Sequence, residues 1–192
     1  MRLFVAVELP GAVREAIAAG LGRLKRDQPG ARWVRPEAMH LTLKFLGERD
    51  ESLVDSLDGA ARAALARLTS ATVRLEGGGF FPNEHHPRVA WLGGDGGGIE
   101  RWAQAVDDAT AALGVEREAR PYTLHLTLAR IERPWGARAV EHFVVGVGKW
   151  RIPAFAAGEA VLFRSVLGPA GPEHTALRRW PAAAVGGDGD GA

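Results

Sequence analysis

The chain has 192 residues, of which 46% are hydrophobic and 24% charged, enough for one compact domain or two small lobes. Its net charge of +1 argues against coating nucleic acid through bulk electrostatics, while leaving room for a local basic groove. It has no cysteine, which excludes disulfides and thiolate metal sites and makes a reducing cytoplasm the simplest home.

The N-terminus becomes charged too early for a signal peptide, and no apolar run approaches the roughly 20 residues that span a bilayer. Residues 2–9 alternate, with Leu3, Val5, Val7 and Leu9 on one face, and predict a strand. Pro10 then suits the first turn of a helix whose apolar stripe is Val13, Ile17, Leu21 and Leu24, ended by Pro29-Gly30. Residues 32–35 and 40–46 read as strands joined by a turn at Pro36-Glu37-Ala38. A second helix carries Leu53, Leu57, Ala61, Ala64 and Leu68. Strands are expected at 72–76 and 88–92, with a loop through Phe80-Phe81-Pro82-Asn83 between them and turns at the glycine runs 77–79 and 93–98. Ile99, Trp102, Val106, Ala109 and Leu113 mark a third helix. Strands follow at 117–122 and 124–131, a short helix within 137–145, and closing strands at 160–165 and 175–179. From Pro181 onward Ala, Gly and Asp dominate, so a single domain over 1–180 with a flexible tail at 181–192 is expected.

The order strand, helix, strand, strand, helix is followed by a similar cycle, which suggests an internal duplication. The fold class implied is α+β: two pseudo-symmetric lobes of mainly antiparallel sheet, with helices outside and polar sheet faces lining a central groove.

Each half contains the tetrapeptide His-Leu-Thr-Leu, at residues 40–43 and again at 125–128. Side chains alternate along a strand, so alternate residues project from one face, roughly 6.8 Å apart. His40 and Thr42 then share a polar face while Leu41 and Leu43 enter the core; His125 and Thr127 repeat the arrangement. Two imidazoles across a groove can act as base and acid in one reaction, one activating water and the other protonating a departing oxygen. Two threonine hydroxyls can donate to the non-bridging oxygens of a phosphate between them. Lys44 has the parity of His40 and Thr42 and adds positive charge to that edge. Arg130 has the wrong parity for His125 unless a bulge redirects it. Tyr122 and Phe45 are candidate stacking platforms for a base, with core packing an equal reading for Phe45. This chemistry requires no metal or cofactor. His85-His86 points opposite ways along a strand without a carboxylate cluster to complete a ligand set, and His142 and His174 read as ordinary surface residues.

With these motifs in view, the chain resembles the 2H phosphoesterase superfamily, and within it the RNA 2′,3′-cyclic phosphodiesterases, also called 2′-5′ RNA ligase-like proteins. The resemblance runs from Arg2-Leu3-Phe4-Val5-Ala6 through Trp33-Val34-Arg35-Pro36-Glu37, Met39-His40-Leu41-Thr42-Leu43-Lys44-Phe45-Leu46-Gly47-Glu48 and Phe80-Phe81-Pro82. It continues through Arg120-Pro121-Tyr122 and His125-Leu126-Thr127-Leu128-Ala129-Arg130 to Leu162-Phe163-Arg164-Ser165. Two positions depart from it: Leu124 stands where the family usually has proline, and His174 where it tends to carry an aromatic residue. The resemblance implies hydrolysis of RNA 2′,3′-cyclic phosphate ends, tRNA fragments among them, to 2′-phosphates, with reversal giving 2′-5′ ligation. It also implies His40 as proton donor and His125 as acceptor, an assignment that the residues alone do not make. A monomer suffices. The alternatives are a phosphodiesterase for small cyclic nucleotides or ADP-ribose cyclic phosphate, and a non-catalytic RNA-end or nucleotide-binding module.

Overall fold

Strand β1 (Arg2–Glu8) buries its central residues on both faces, with Leu3, Val5 and Val7 entering the main core and Phe4 and Ala6 a second, smaller cluster. The computed structural model describes residues 1–28, 30–168 and 171–183. Helix α1 (Gly11–Leu24) follows with Pro10 at its N-cap and buries Val13, Ile17, Leu21 and Leu24, the stripe read from the sequence. Pro29 lies outside the described residues.

The next elements in chain order are β2 (Ala31–Trp33), β3 (His40–Glu48), α2 (Ser52–Leu65), β4 (Ala71–Phe81), β5 (Val89–Asp95), α3 (Ile99–Ala111) and β6 (Leu126–Ile131). Helix α4 (Ala137–Gly148) and strands β7 (Phe155–Ala157), β8 (Glu159–Gly168) and β9 (Gly171–Pro181) complete the fold. Two sheets result, one of order β3-β1-β8-β9 and one of order β2-β6-β5-β4-β7, antiparallel throughout. Helices α2 and α3 pack together against the first sheet, and α4, joined by α1, against the second. This is the expected α+β architecture of antiparallel lobes with outer helices. No helix among the described residues is long and apolar enough to cross a membrane.

Four local expectations are corrected. The turn at 36–38, a short 3-10 helix, makes no hairpin, because β2 pairs with β6 in one sheet and β3 with β1 in the other. Residues 117–122 form no strand: Pro121 has no N–H to give a ladder, and the Glu118 N–H goes instead to Asp107 Oδ1 (3.0 Å). The glycines at 77–79 continue β4 through a register shift rather than turning. A Cβ at Gly79 would lie 2.4 Å from the Trp91 indole, so this glycine lets the ring lie across the sheet. Finally, order continues past Trp180. Pro181 ends β9 opposite Glu159, and Ala182 and Ala183 donate to the carbonyls of Gly158 and Leu68. The rest of the expected tail lies outside the described residues.

Candidate active site

His40 begins β3, opposite Glu8 of β1 at the edge of the first sheet. Its Nδ1 lies 3.0 Å from the carbonyl of Ala38, two residues upstream. A carbonyl only accepts, so Nδ1 carries the proton and the neutral ring keeps its lone pair on Nε2. The imidazole stacks on Phe4 with centroids 4.6 Å apart. Burial first, then His174 and His125, push its pKa down from 6.5 to about 4, against the opposing pull of the Ala38 carbonyl.

The second motif repeats this construction. His125 immediately precedes β6, and its Nδ1 lies 2.8 Å from the carbonyl of Thr123, again two residues upstream. Phe81 meets it edge-on at 5.0 Å and in turn packs on Trp91 at 5.3 Å. Neither Nε2 has a hydrogen-bond partner among the described residues, nor does the hydroxyl of Thr42 or Thr127. Thr42 lies opposite Ala6, and Thr127 opposite Trp91. Strands β3 and β6 come into contact between the two sheets, and a charge on His125 bears on His40.

Both motif strands are bulged at the same point, and the bulges decide which later residues face the groove. In β3, Thr42 pairs with Ala6 and Lys44 with Val5, leaving Leu43 as the extra residue. In β6, Thr127 pairs with Trp91 and Ala129 with Ala90, leaving Leu128 extra. Each bulge reverses the alternation. Lys44 and Ala129 are therefore buried, while Phe45 and Arg130 emerge on the histidine face, both exposed. The bulge condition set for Arg130 is met, and it forms no ion pair among the described residues.

For Lys44 the expectation fails, because parity does not survive the bulge. The residue is 2% exposed, with Nζ 2.5 Å from Asp107 Oδ1 and 2.8 Å from the Glu116 carbonyl. Tyr122 is also displaced from the expected platform. It packs against the main core with its hydroxyl buried and unpaired, and burial, with Glu100 nearby, pushes its pKa up. Phe45, 53% exposed and 5.9 Å from Phe4, is the aromatic residue open to a ligand on that edge.

Sequence reasoning missed His174. Its ring stands edge-on to His40 at 5.1 Å and to Phe4 at 4.9 Å, so a second imidazole stands beside that of His40. The one available signal was its place at a position where the family tends to carry an aromatic residue. Arg179 bonds Glu8, the residue opposite His40 in the sheet, and Glu159, at 2.7 Å each. Among the described residues no group of three His, Asp or Glu is placed to hold a metal ion.

Two antiparallel lobes, each bringing a His-x-Thr strand to one groove, define a two-histidine phosphoesterase. The sequence profile of the LigT like phosphoesterase family matches residues 7–91 and 95–174, and the chain belongs to that family. It is 38% identical over 188 residues to the RNA 2′,3′-cyclic phosphodiesterase of Thermus thermophilus, covering 94% of this chain and 89% of that protein. Among solved structures, TT0787 of Thermus thermophilus superposes with a TM-score of 0.76 at 30% identity, covering 94% of this chain and 97% of that one. E. coli LigT complexed with 3′-AMP superposes with a TM-score of 0.72 at 27% identity, covering 95% and 98%.

Proposed function

We propose that the chain hydrolyses terminal 2′,3′-cyclic phosphates on RNA to 2′-phosphomonoesters by two-histidine acid–base catalysis. The observation that carries this reading is the duplicated construction: two His-x-Thr strands, each histidine with its Nδ1 proton committed to the carbonyl two residues upstream and its Nε2 free. In the reaction His125 removes a proton from water, the oxygen adds to phosphorus, and the bond from phosphorus to the 3′ oxygen breaks. His40 gives its proton to that oxygen, leaving a 3′-hydroxyl and a 2′-phosphate. Thr42 and Thr127 donate to the non-bridging oxygens as charge gathers there. Arg130 holds a flanking phosphate and Phe45 stacks on a base.

A protonated His40 with a depressed pKa is a strong acid for a departing alkoxide. Its proton is scarce in the free protein, and the bound phosphate anion restores it by favouring the charged ring. An RNA substrate accords with the names of the curated relatives, and tRNA fragments with cyclic ends are natural members of that class. The same site run in reverse joins ends through a 2′-5′ linkage. We place the protein in the cytoplasm, acting as a monomer.

The test is product analysis on a short oligonucleotide carrying a 2′,3′-cyclic phosphate, alongside small cyclic nucleotides, with and without EDTA. A 2′-phosphate product formed in EDTA, and lost in folded His40→Ala or His125→Ala, supports the proposal. A 3′-phosphate would exchange the leaving group. Turnover of the small cyclic nucleotides alone would move the substrate class, and tight binding without turnover would make the chain a binding module.

A further inference from the structure

The two motif strands lie in different sheets, yet proton transfer requires their histidines to keep one relative placement. One buried ion pair is connected to both. Lys44 follows the bulge residue Leu43, two residues beyond Thr42, and its ammonium reaches away from the groove to Asp107 of α3 and to the carbonyl of Glu116. Asp107 also accepts from the Glu118 N–H at 3.0 Å and from Arg117 at 3.0 Å. Burial alone would raise the Asp107 carboxyl; the bonds from Lys44, Glu118 and Arg117 hold it below the usual carboxylate range. Residues 116–118 open the segment without regular structure that carries the chain from α3 to β6. Its far end supplies Thr123, whose carbonyl orients His125, and buries Leu124.

We infer that Lys44 and Asp107 are positioning residues, a strut that ties the first motif strand to the segment presenting the second histidine. The inference rests on the phosphodiesterase reading and deepens it. Stability alone does not account for the pair, since apolar residues of similar volume often replace a buried ion pair at no loss. Such residues cannot reproduce the bonds to the Glu116 carbonyl and the Glu118 N–H. Without them the segment leading to His125 loses its anchor, while Thr42, Thr127 and Arg130 stay on their strands.

The experiment compares the wild type with Lys44→Met, Lys44→Gln and the double variant Lys44→Met/Asp107→Leu, on an oligonucleotide with a 2′,3′-cyclic phosphate end. Small misplacements of reacting groups cost up to about a hundredfold. Expected is a kcat reduced roughly 10- to 100-fold in the folded double variant, with KM changed less than about threefold. Lys44→Gln, which keeps a donor, recovers part of the rate; it also serves as the folded comparison if Lys44→Met does not fold. Wild-type kcat in folded Lys44→Met or in the folded double variant overturns the inference. A readout independent of turnover is the ¹⁵N spectrum of the His125 ring, which reports whether the proton stays on Nδ1. An unchanged tautomer in the double variant likewise counts against the strut. A wild type without hydrolysis would remove the phosphodiesterase reading alone, because the ring spectrum still tests the strut.

Discussion

Acidification should destabilise this protein through His40 in particular. The ring is half-buried on Phe4, and burial, His174 and His125 lower its pKa from 6.5 to about 4. In the unfolded chain it takes up a proton near 6.5, so between those two values the unfolded state binds more protons than the folded one. Stability contributed by the neutral ring is therefore full above about pH 6.5, is lost as pH falls, and stops changing below about 4. At about 1.4 kcal/mol per pH unit the gap amounts to roughly 3 kcal/mol, nearer 2 after allowing for the exposed edge of the ring. Against a typical stability of roughly 5–15 kcal/mol that is a large share. The assay is urea unfolding of the wild type and His40→Gln at several values between about pH 7 and 4. Carboxylate titrations are common to both and cancel in the difference. The variant should gain about 2–3 kcal/mol on the wild type as pH drops from about 7 to 4. Parallel pH dependence in the two proteins would refute the reasoning.

His174→Phe keeps a ring against Phe4 and His40 but removes the second-largest cause lowering His40, so the His40 imidazole should titrate at higher pH by NMR; an unmoved titration removes His174 from the site's electrostatics. Arg130→Ala should raise KM with little change in kcat, and flatten the salt dependence of RNA binding by about 0.7 in the log–log slope, one phosphate contact on a single strand. Wild-type slope in the variant would take Arg130 off the RNA. Gly59, exposed inside α2 with open space where a Cβ would sit, should accept alanine with a gain of about 0.5–1 kcal/mol in urea unfolding. Gly79→Ala should instead lose about 1–3 kcal/mol by driving a methyl into the Trp91 indole, and equal stability of the two variants would contradict the packing described.

Long periodic segments were the most legible. The α1 stripe and the strand alternation of residues 2–9 depend on spacing and polarity, which local sequence carries in full. For α2 the predicted stripe holds at Leu57 and Ala61, with Leu53 and Leu68 partly buried against the core and Val54 and Leu65 fully buried beside them. Residues 117–122 look extended and are not paired, because a side chain of α3 takes the N–H that a neighbouring strand would have taken. The glycines of β4 read as a turn because their use, making room for an indole across the sheet, depends on a partner strand.

The sequence alone determined that two His-Thr pairs lie on polar strand faces above buried leucines, because a two-residue period is a local property of the backbone. It also carried the family. What it could not decide was where that period breaks. Whether Lys44 or Phe45, Ala129 or Arg130, faces the groove depends on bulges set by the pairing of β3 with β1 and of β6 with β5. Likewise, only the packing of β9 across its sheet brings His174 to His40, at a separation in sequence that no local pattern spans. Register is a relation between strands, so only the tertiary structure could settle which cations and rings share the site.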